Sequence, residues 1–145
     1  MRIVLIDDEP AQGSLWGAIL RSVGYSVTFC QDAESGLAAV NQGCDCVITD
    51  YQMPGMDGIE LIRQANRRPA LCIMLTGVES PEIHRRALAA GADYVVTKPT
   101  QPGVLLAVLA RLYRQAHFAV AVGRPSRERR PMPPTSAVAL SPDLP

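Results

Sequence analysis

The chain has 145 residues, 48% of them hydrophobic and 19% charged, with 14 basic side chains against 14 acidic ones. That length suits one domain able to bury a core, and the zero formal charge offers no electrostatic footprint for nucleic acid or an anionic membrane. No apolar run reaches the length of a membrane span, and "MRIVLIDDEP" turns acidic too early for a signal peptide, so the protein is expected in the cytoplasm.

Taken in chain order, the first strand candidate is Ile3–Ile6, a continuous apolar run that stops at Asp7, Asp8 and Glu9. A helix from Pro10 to Val23 follows, with Leu15, Ile19 and Val23 at four-residue spacing, Trp16 as a packing residue and Gly24 as a stop. Ser26–Cys30 alternates, with Val27 and Phe29 on one face, which suits an edge strand. Asp32 is placed to cap the second helix, with Glu34 in its first turn and Gly43 past its end.

The third strand, Cys46–Thr49, runs into Asp50 and then "YQMPGMDG", a turn that Met53 and Met56 are expected to line. The third helix is expected over Asp57 to Arg68, carrying Ile59, Ile62 and Ala65 and stopped by Pro69. Leu71–Leu75 is the fourth strand and ends at Thr76. Ser80-Pro81-Glu82 reads as N-cap, first-turn proline and favourable acid for a helix that Gly91 ends. Tyr94–Thr97 leads to Lys98, the single lysine of the chain, and the fifth helix opens near Pro102 and runs through Leu105, Leu109 and Leu112.

Cys30, Cys44, Cys46 and Cys72 lie in or beside apolar runs and read as reduced, buried residues without a metal or disulfide role. His84 and His117 lie in helical patterns without partners. Residues 1–118 form the expected domain. Residues 119–145, rich in proline, serine and arginine, read as a flexible tail or linker with Arg127, Arg129 and Arg130 solvated.

Strands alternating with helices imply right-handed βαβ units and a doubly wound α/β domain on a five-stranded parallel sheet. The expected strand order is 2-1-3-4-5, which leaves the alternating second strand at an edge. All strands of such a sheet end along one edge, so Asp7, Asp8, Asp50, Thr76 and Lys98 converge at the switch point where open α/β sheets bind ligands. Crowded carboxylates resist ionisation without a cation, and a few hard oxygen ligands with water describe a Mg²⁺ site. A hydroxyl and an ammonium opposite them equip the edge for phosphoryl transfer, with Asp50 as nucleophile.

"LIDDEP", "ITDYQMPGMDG", "LTG" and "GADYVVTKP" resemble, in order and spacing, the signature segments of receiver domains of two-component response regulators. The resemblance covers residues 1 to about 118. It implies the flavodoxin-like (βα)5 receiver fold and a phosphoacceptor that is not a turnover enzyme. Asp50 would take the phosphoryl group from a sensor histidine kinase or histidine phosphotransfer protein. Asp8 would bind Mg²⁺ directly and Asp7 mainly through water, with Asp50 and the backbone carbonyl of Gln52 as further ligands. Thr76 would be the switch hydroxyl and Lys98 the partner of Asp50 and then of a phosphoryl oxygen, aimed by a cis Lys98–Pro99 peptide. The output would be a downstream protein or an output domain of a longer regulator. A homodimer through the face of the fourth helix, fifth strand and fifth helix is the further expectation.

One position departs from the family pattern. Three residues before the lysine the family usually has an aromatic residue; here Val95 stands there and Tyr94 should face the other way. Thr100 likewise replaces a frequent aromatic. The output is therefore expected to depend on the loop after Thr76 and the fourth helix. Two other functions fit less well. A haloacid-dehalogenase-type phosphatase needs a second acid two residues after its nucleophile, where this chain has Gln52. A flavodoxin-like cofactor binder wants a phosphate loop after the first strand, where "DDEPAQG" puts acids.

Overall fold

The computed structural model describes residues 1–66 and 68–121, with side chains described through residue 115. Five strands and five helices alternate: β1 Arg2–Ile6, α1 Pro10–Ser22, β2 Ser26–Cys30, α2 Ala33–Gln42, β3 Cys46–Asp50, α3 Gly58–Gln64, β4 Leu71–Thr76, α4 Pro81–Ala90, β5 Tyr94–Thr97 and α5 Pro102–Ala121. The sheet is parallel throughout, in the expected order β2-β1-β3-β4-β5. Helix α5 continues across the boundary expected at residue 118. The tail expected over 119–145, with Arg127, Arg129 and Arg130, lies outside the described residues from 122 onward.

Side chains alternate across the sheet and build a core on each face. Val4, Ile6, Val47, Cys72 and Met74 pack towards α2, α3 and α4, while Ile3, Leu5, Ile48, Ile73 and Leu75 pack towards α1 and α5. Each fully buried Ile or Leu among them contributes about 1.5–3 kcal/mol of transfer free energy. β3 and β4 are buried along their whole length, as their continuous apolar runs require, whereas β2 at the edge alternates. Cys30, Cys46 and Cys72 are buried as free thiols, and burial pushes the Cys46 and Cys72 thiols well above their ordinary range.

Three helices start on side-chain caps, Asp32 and Ser80 as expected and Asp57 in addition, where the helix was expected to include it. Asp32 accepts the Ser35 N–H at 2.7 Å, Asp57 the Glu60 N–H at 2.8 Å and Ser80 the Ile83 N–H at 3.3 Å. Helix α1 differs: its N-cap, Glu9, makes no side-chain cap bond, and Pro10 occupies the first turn.

Two expectations need correction. The buried stripe of α1 is Gly13, Trp16, Gly17 and Leu20, whereas Leu15 is 61% exposed and Val23 52% exposed. A Cβ on Gly13 would collide with the Phe29 ring on β2, so the helix approaches the sheet through its smallest residues. Helix α3 ends at Gln64 and not at Arg68. Ala65 is extended, and the Asn66 N–H donates to Asn41 Oδ1 at 2.8 Å in place of a helical carbonyl. Pro69 then disfavours helical geometry at the residue before it.

Candidate functional site

The C-terminal ends of the strands bring the predicted residues to one edge. Asp7 follows β1 and is anchored by its own N–H, which donates to the Cys30 carbonyl of β2 at 3.1 Å. Its Oδ1 accepts the Glu9 N–H at 2.9 Å, which turns the chain into α1. Asp50 closes β3, opposite Leu75 in the register, so Thr76 lies one residue further along β4. The Lys98 N–H donates to the Thr76 carbonyl at 2.7 Å and ties the lysine's backbone to that strand. The Lys98–Pro99 peptide is cis, as expected.

The "MPGMDG" turn is shaped by close approach. The Gly58 N–H donates to the Tyr51 carbonyl at 2.8 Å, and a Cβ on Gly58 would collide with the Asp50 carbonyl oxygen. Gly55 holds φ at +83°, in the left-handed region that favours glycine. The motif is thus a tight return of the chain across the end of β3, and it fixes the backbone of Asp50.

The carboxylates of Asp7, Asp8 and Asp50 each place an oxygen within 4.8 Å of the others. Lys98 Nζ donates to Asp50 Oδ1 at 2.8 Å and stands 4.0 Å from Asp7 Oδ2. Asp7 is 1% exposed, and its buried Oδ2 has no hydrogen-bond partner among the described residues. Burial pushes the Asp50 carboxyl above the ordinary range; the Lys98 bond and charge pull it back in part, and the Asp8 charge adds to the rise. Burial likewise raises Asp7 against the opposing pull of the Glu9 N–H and Lys98, with the charges of Asp50 and Asp8 adding to it.

Three carboxylates around one ammonium leave the cluster short of positive charge. An orphaned buried carboxylate oxygen beside two further acids fits a hard divalent cation such as Mg²⁺, which takes a few carboxylates and completes its shell with water. Gln52 is exposed in the β3–α3 loop, two residues past Asp50. Thr76 is buried, and its Oγ1 accepts the Val78 N–H at 3.0 Å, so the hydroxyl is engaged by its own loop. Val95 is 7% exposed and Tyr94 44% exposed, on opposite faces of β5 as alternation requires. Trp16 packs in the α1/α5 core and His84 is exposed.

One residue was not legible in the sequence. Gln12, in the first turn of α1, accepts a hydrogen bond from Lys98 Nζ at 3.0 Å. The only signal for it was position: a polar side chain opening the helix that follows Asp8 stands at the same edge.

Residues 3–110 match the response regulator receiver domain family, a span that contains Asp7, Asp8, Gln12, Asp50, Thr76 and Lys98. The gliding motility regulatory protein of Myxococcus xanthus is 39% identical over 103 residues, which is 68% of this chain and 13% of that protein. Transcriptional regulatory protein FixJ of Bradyrhizobium diazoefficiens is 33% identical over 117 residues, 79% of this chain and 57% of its own length. The chain therefore spans only part of the curated relatives it matches. Among solved structures, a receiver domain protein of Methanospirillum hungatei is similar with a TM-score of 0.72 at 35% identity, covering 79% of this chain and 94% of that one. The Vibrio cholerae chemotaxis protein CheY4 gives a TM-score of 0.71 at 29% identity, covering 77% and 97%.

Proposed function

Because the chain belongs to the response regulator receiver domain family of two-component systems, we propose that Asp50 is its phosphoacceptor. The donor is a phosphohistidine of a sensor histidine kinase or histidine phosphotransfer protein. The observation that carries the reading is the 2.8 Å bond from the single lysine to Asp50, inside a cluster of three carboxylates. Lys98 occupies Oδ1, which leaves Oδ2 of Asp50 to attack phosphorus. The P–N bond to the donor histidine breaks as the P–O bond forms, and the departing imidazole nitrogen takes the electron pair.

Asp7, Asp8, Asp50 and the Gln52 carbonyl would hold Mg²⁺, which when bound would neutralise charge on the transferring phosphoryl oxygens. Lys98 then moves from the Asp50 carboxylate to a phosphoryl oxygen. Gln52 provides no acid or base two residues after the nucleophile, so the acyl phosphate persists as a signal instead of being turned over. That supports a switch and not a turnover enzyme.

Thr76 transmits the change. Its hydroxyl holds the Val78 N–H, and turning it towards a phosphoryl oxygen gives up that bond at the start of the loop into α4. With Val95 where the family usually has an aromatic side chain, the loop and α4 carry the response. The receiving surface is the α4-β5-α5 face, where Leu88, Tyr94 and Tyr113 are exposed. It serves a downstream protein, an output domain or a second copy of the chain. A sedimentation coefficient that rises on adding beryllofluoride and Mg²⁺ supports the dimer, and an unchanged one removes it.

The test of the phosphoacceptor is acetyl phosphate with and without Mg²⁺, read on a phosphate-affinity gel. A Mg²⁺-dependent shifted band that disappears in Asp50→Asn is expected. A band that persists in Asp50→Asn overturns the assignment.

A further inference from the structure

We infer that Gln12 is a positioning residue for Lys98: its side-chain amide oxygen holds the ammonium at the Asp50 carboxylate, so that α1 sets where the site's positive charge stands. The inference rests on the phosphoacceptor reading above.

Lys98 Nζ makes two hydrogen bonds, to Asp50 Oδ1 at 2.8 Å and to Gln12 Oε1 at 3.0 Å, with Asp7 Oδ2 further off at 4.0 Å. The three groups come from three elements: the β5–α5 connection, the end of β3 and the first turn of α1. An ammonium on a flexible four-carbon stem can swing about a single carboxylate while keeping its bond. A second acceptor on another element removes that freedom.

The chemistry of the second acceptor fits the site. A glutamine amide takes an N–H without adding charge to a cluster that already holds three carboxylates. A glutamate there would be a fourth acid, and an aliphatic residue would leave an ammonium proton without a protein partner. When a phosphoryl oxygen replaces Asp50 Oδ1 as the acceptor, the bond to Gln12 can be kept. The ammonium is then placed before the reaction, and its orientation is not paid for during it.

The single lysine makes the test direct, because ¹³C-lysine labelling of the full chain reports Lys98 alone. Gln12→Met keeps the length of the side chain and removes the acceptor; Gln12→Ala is the second variant, used if the first does not fold. Two results are expected together. In the metal-free protein the order parameter of Lys98 Cε falls relative to wild type. Phosphorylation by acetyl phosphate with Mg²⁺ slows about five- to tenfold at saturating donor, with the donor KM near wild type.

An order parameter that does not change, or a maximal rate that does not change, in a folded variant overturns the role of Gln12. The order parameter is measured without any phosphorylation. A band that survives in Asp50→Asn therefore defeats the phosphoacceptor reading separately and leaves the Gln12 contact to be decided on its own.

Discussion

At the N-terminal edge of the sheet, Asp45 accepts the Arg2 N–H at 2.6 Å and Asp93 accepts the Cys72 N–H at 2.9 Å. Their own N–H groups return the favour to the same residues, Asp45 to the Arg2 carbonyl at 2.9 Å and Asp93 to the Cys72 carbonyl at 2.7 Å. At the C-terminal edge, Asp7, Asp8 and Asp50 crowd one another, and a buried oxygen of Asp7 has no donor among the described residues. The residue type is the same at both ends of the strands, but its supply of donors and its burial differ: the Asp45 side chain is 48% exposed and that of Asp7 2%. Acids that satisfy strand starts hold the sheet together. Acids left short of donors would, under the proposed function, hold a cation and a phosphoryl group.

That contrast can be broken most severely at Gly58, whose missing Cβ lets the chain cross the end of β3. Gly58→Ala drives a methyl group into the Asp50 carbonyl and is expected to lower stability by about 1–3 kcal/mol in a urea melt. It should also slow phosphorylation, because Asp50 moves with the backbone. Wild-type stability with a wild-type rate would show that the tight turn does not position Asp50.

Lys98→Arg sharpens the contrast from the side of the cation. A planar guanidinium must find room between Asp50, Asp7 and Gln12, and charge-assisted bonds contribute about 1.5–3 kcal/mol each. Phosphorylation-dependent partner binding is expected to weaken about tenfold, with Mg²⁺ affinity in calorimetry affected less. Partner binding equal to wild type would contradict this account of the lysine.

The smallest effect expected is in pH. Asp7 and Asp50 have folded-state pKa values above the ordinary value, so the folded protein holds those protons more tightly than the unfolded chain. In the metal-free protein their contribution to stability therefore falls as pH rises from about 4 through the raised values. Asp32 runs the other way, since its bonds to Ser35 lower its pKa and its contribution is lost as pH falls. Urea melts across pH should show the first trend weakened in Asp7→Asn and the second unaffected by it. A pH profile of Asp7→Asn identical to wild type would contradict the raised pKa that burial, with its acidic neighbours, gives Asp7.

Much of this was legible because the physics is local. Continuous apolar runs marked β3 and β4 as buried on both faces, alternation marked β2 as an edge, and Asp32 and Ser80 cap the helices they precede. In a parallel sheet, strand ends alone bring Asp7, Asp8, Asp50 and Lys98 together. What stayed hidden depends on tertiary approach. The inner face of α1 is led by Gly13 and Gly17, which a tally of large apolar residues ignores. The end of α3 depends on Asn41 from another helix, and the Gln12–Lys98 bond joins residues 86 positions apart.

The most direct measurement is thermal unfolding of wild type, Asp7→Asn and Asp93→Ala, each with and without Mg²⁺. Wild type is expected to gain stability from Mg²⁺. Asp93→Ala should melt several degrees lower, for a loss of about 1–2 kcal/mol, yet keep the Mg²⁺ gain. Asp7→Asn should melt at or above wild type without metal and lose most of the gain. If Asp7→Asn instead melts lower and keeps the full Mg²⁺ gain, the acids at the two edges are alike, and the division between structural and metal-binding carboxylates is wrong.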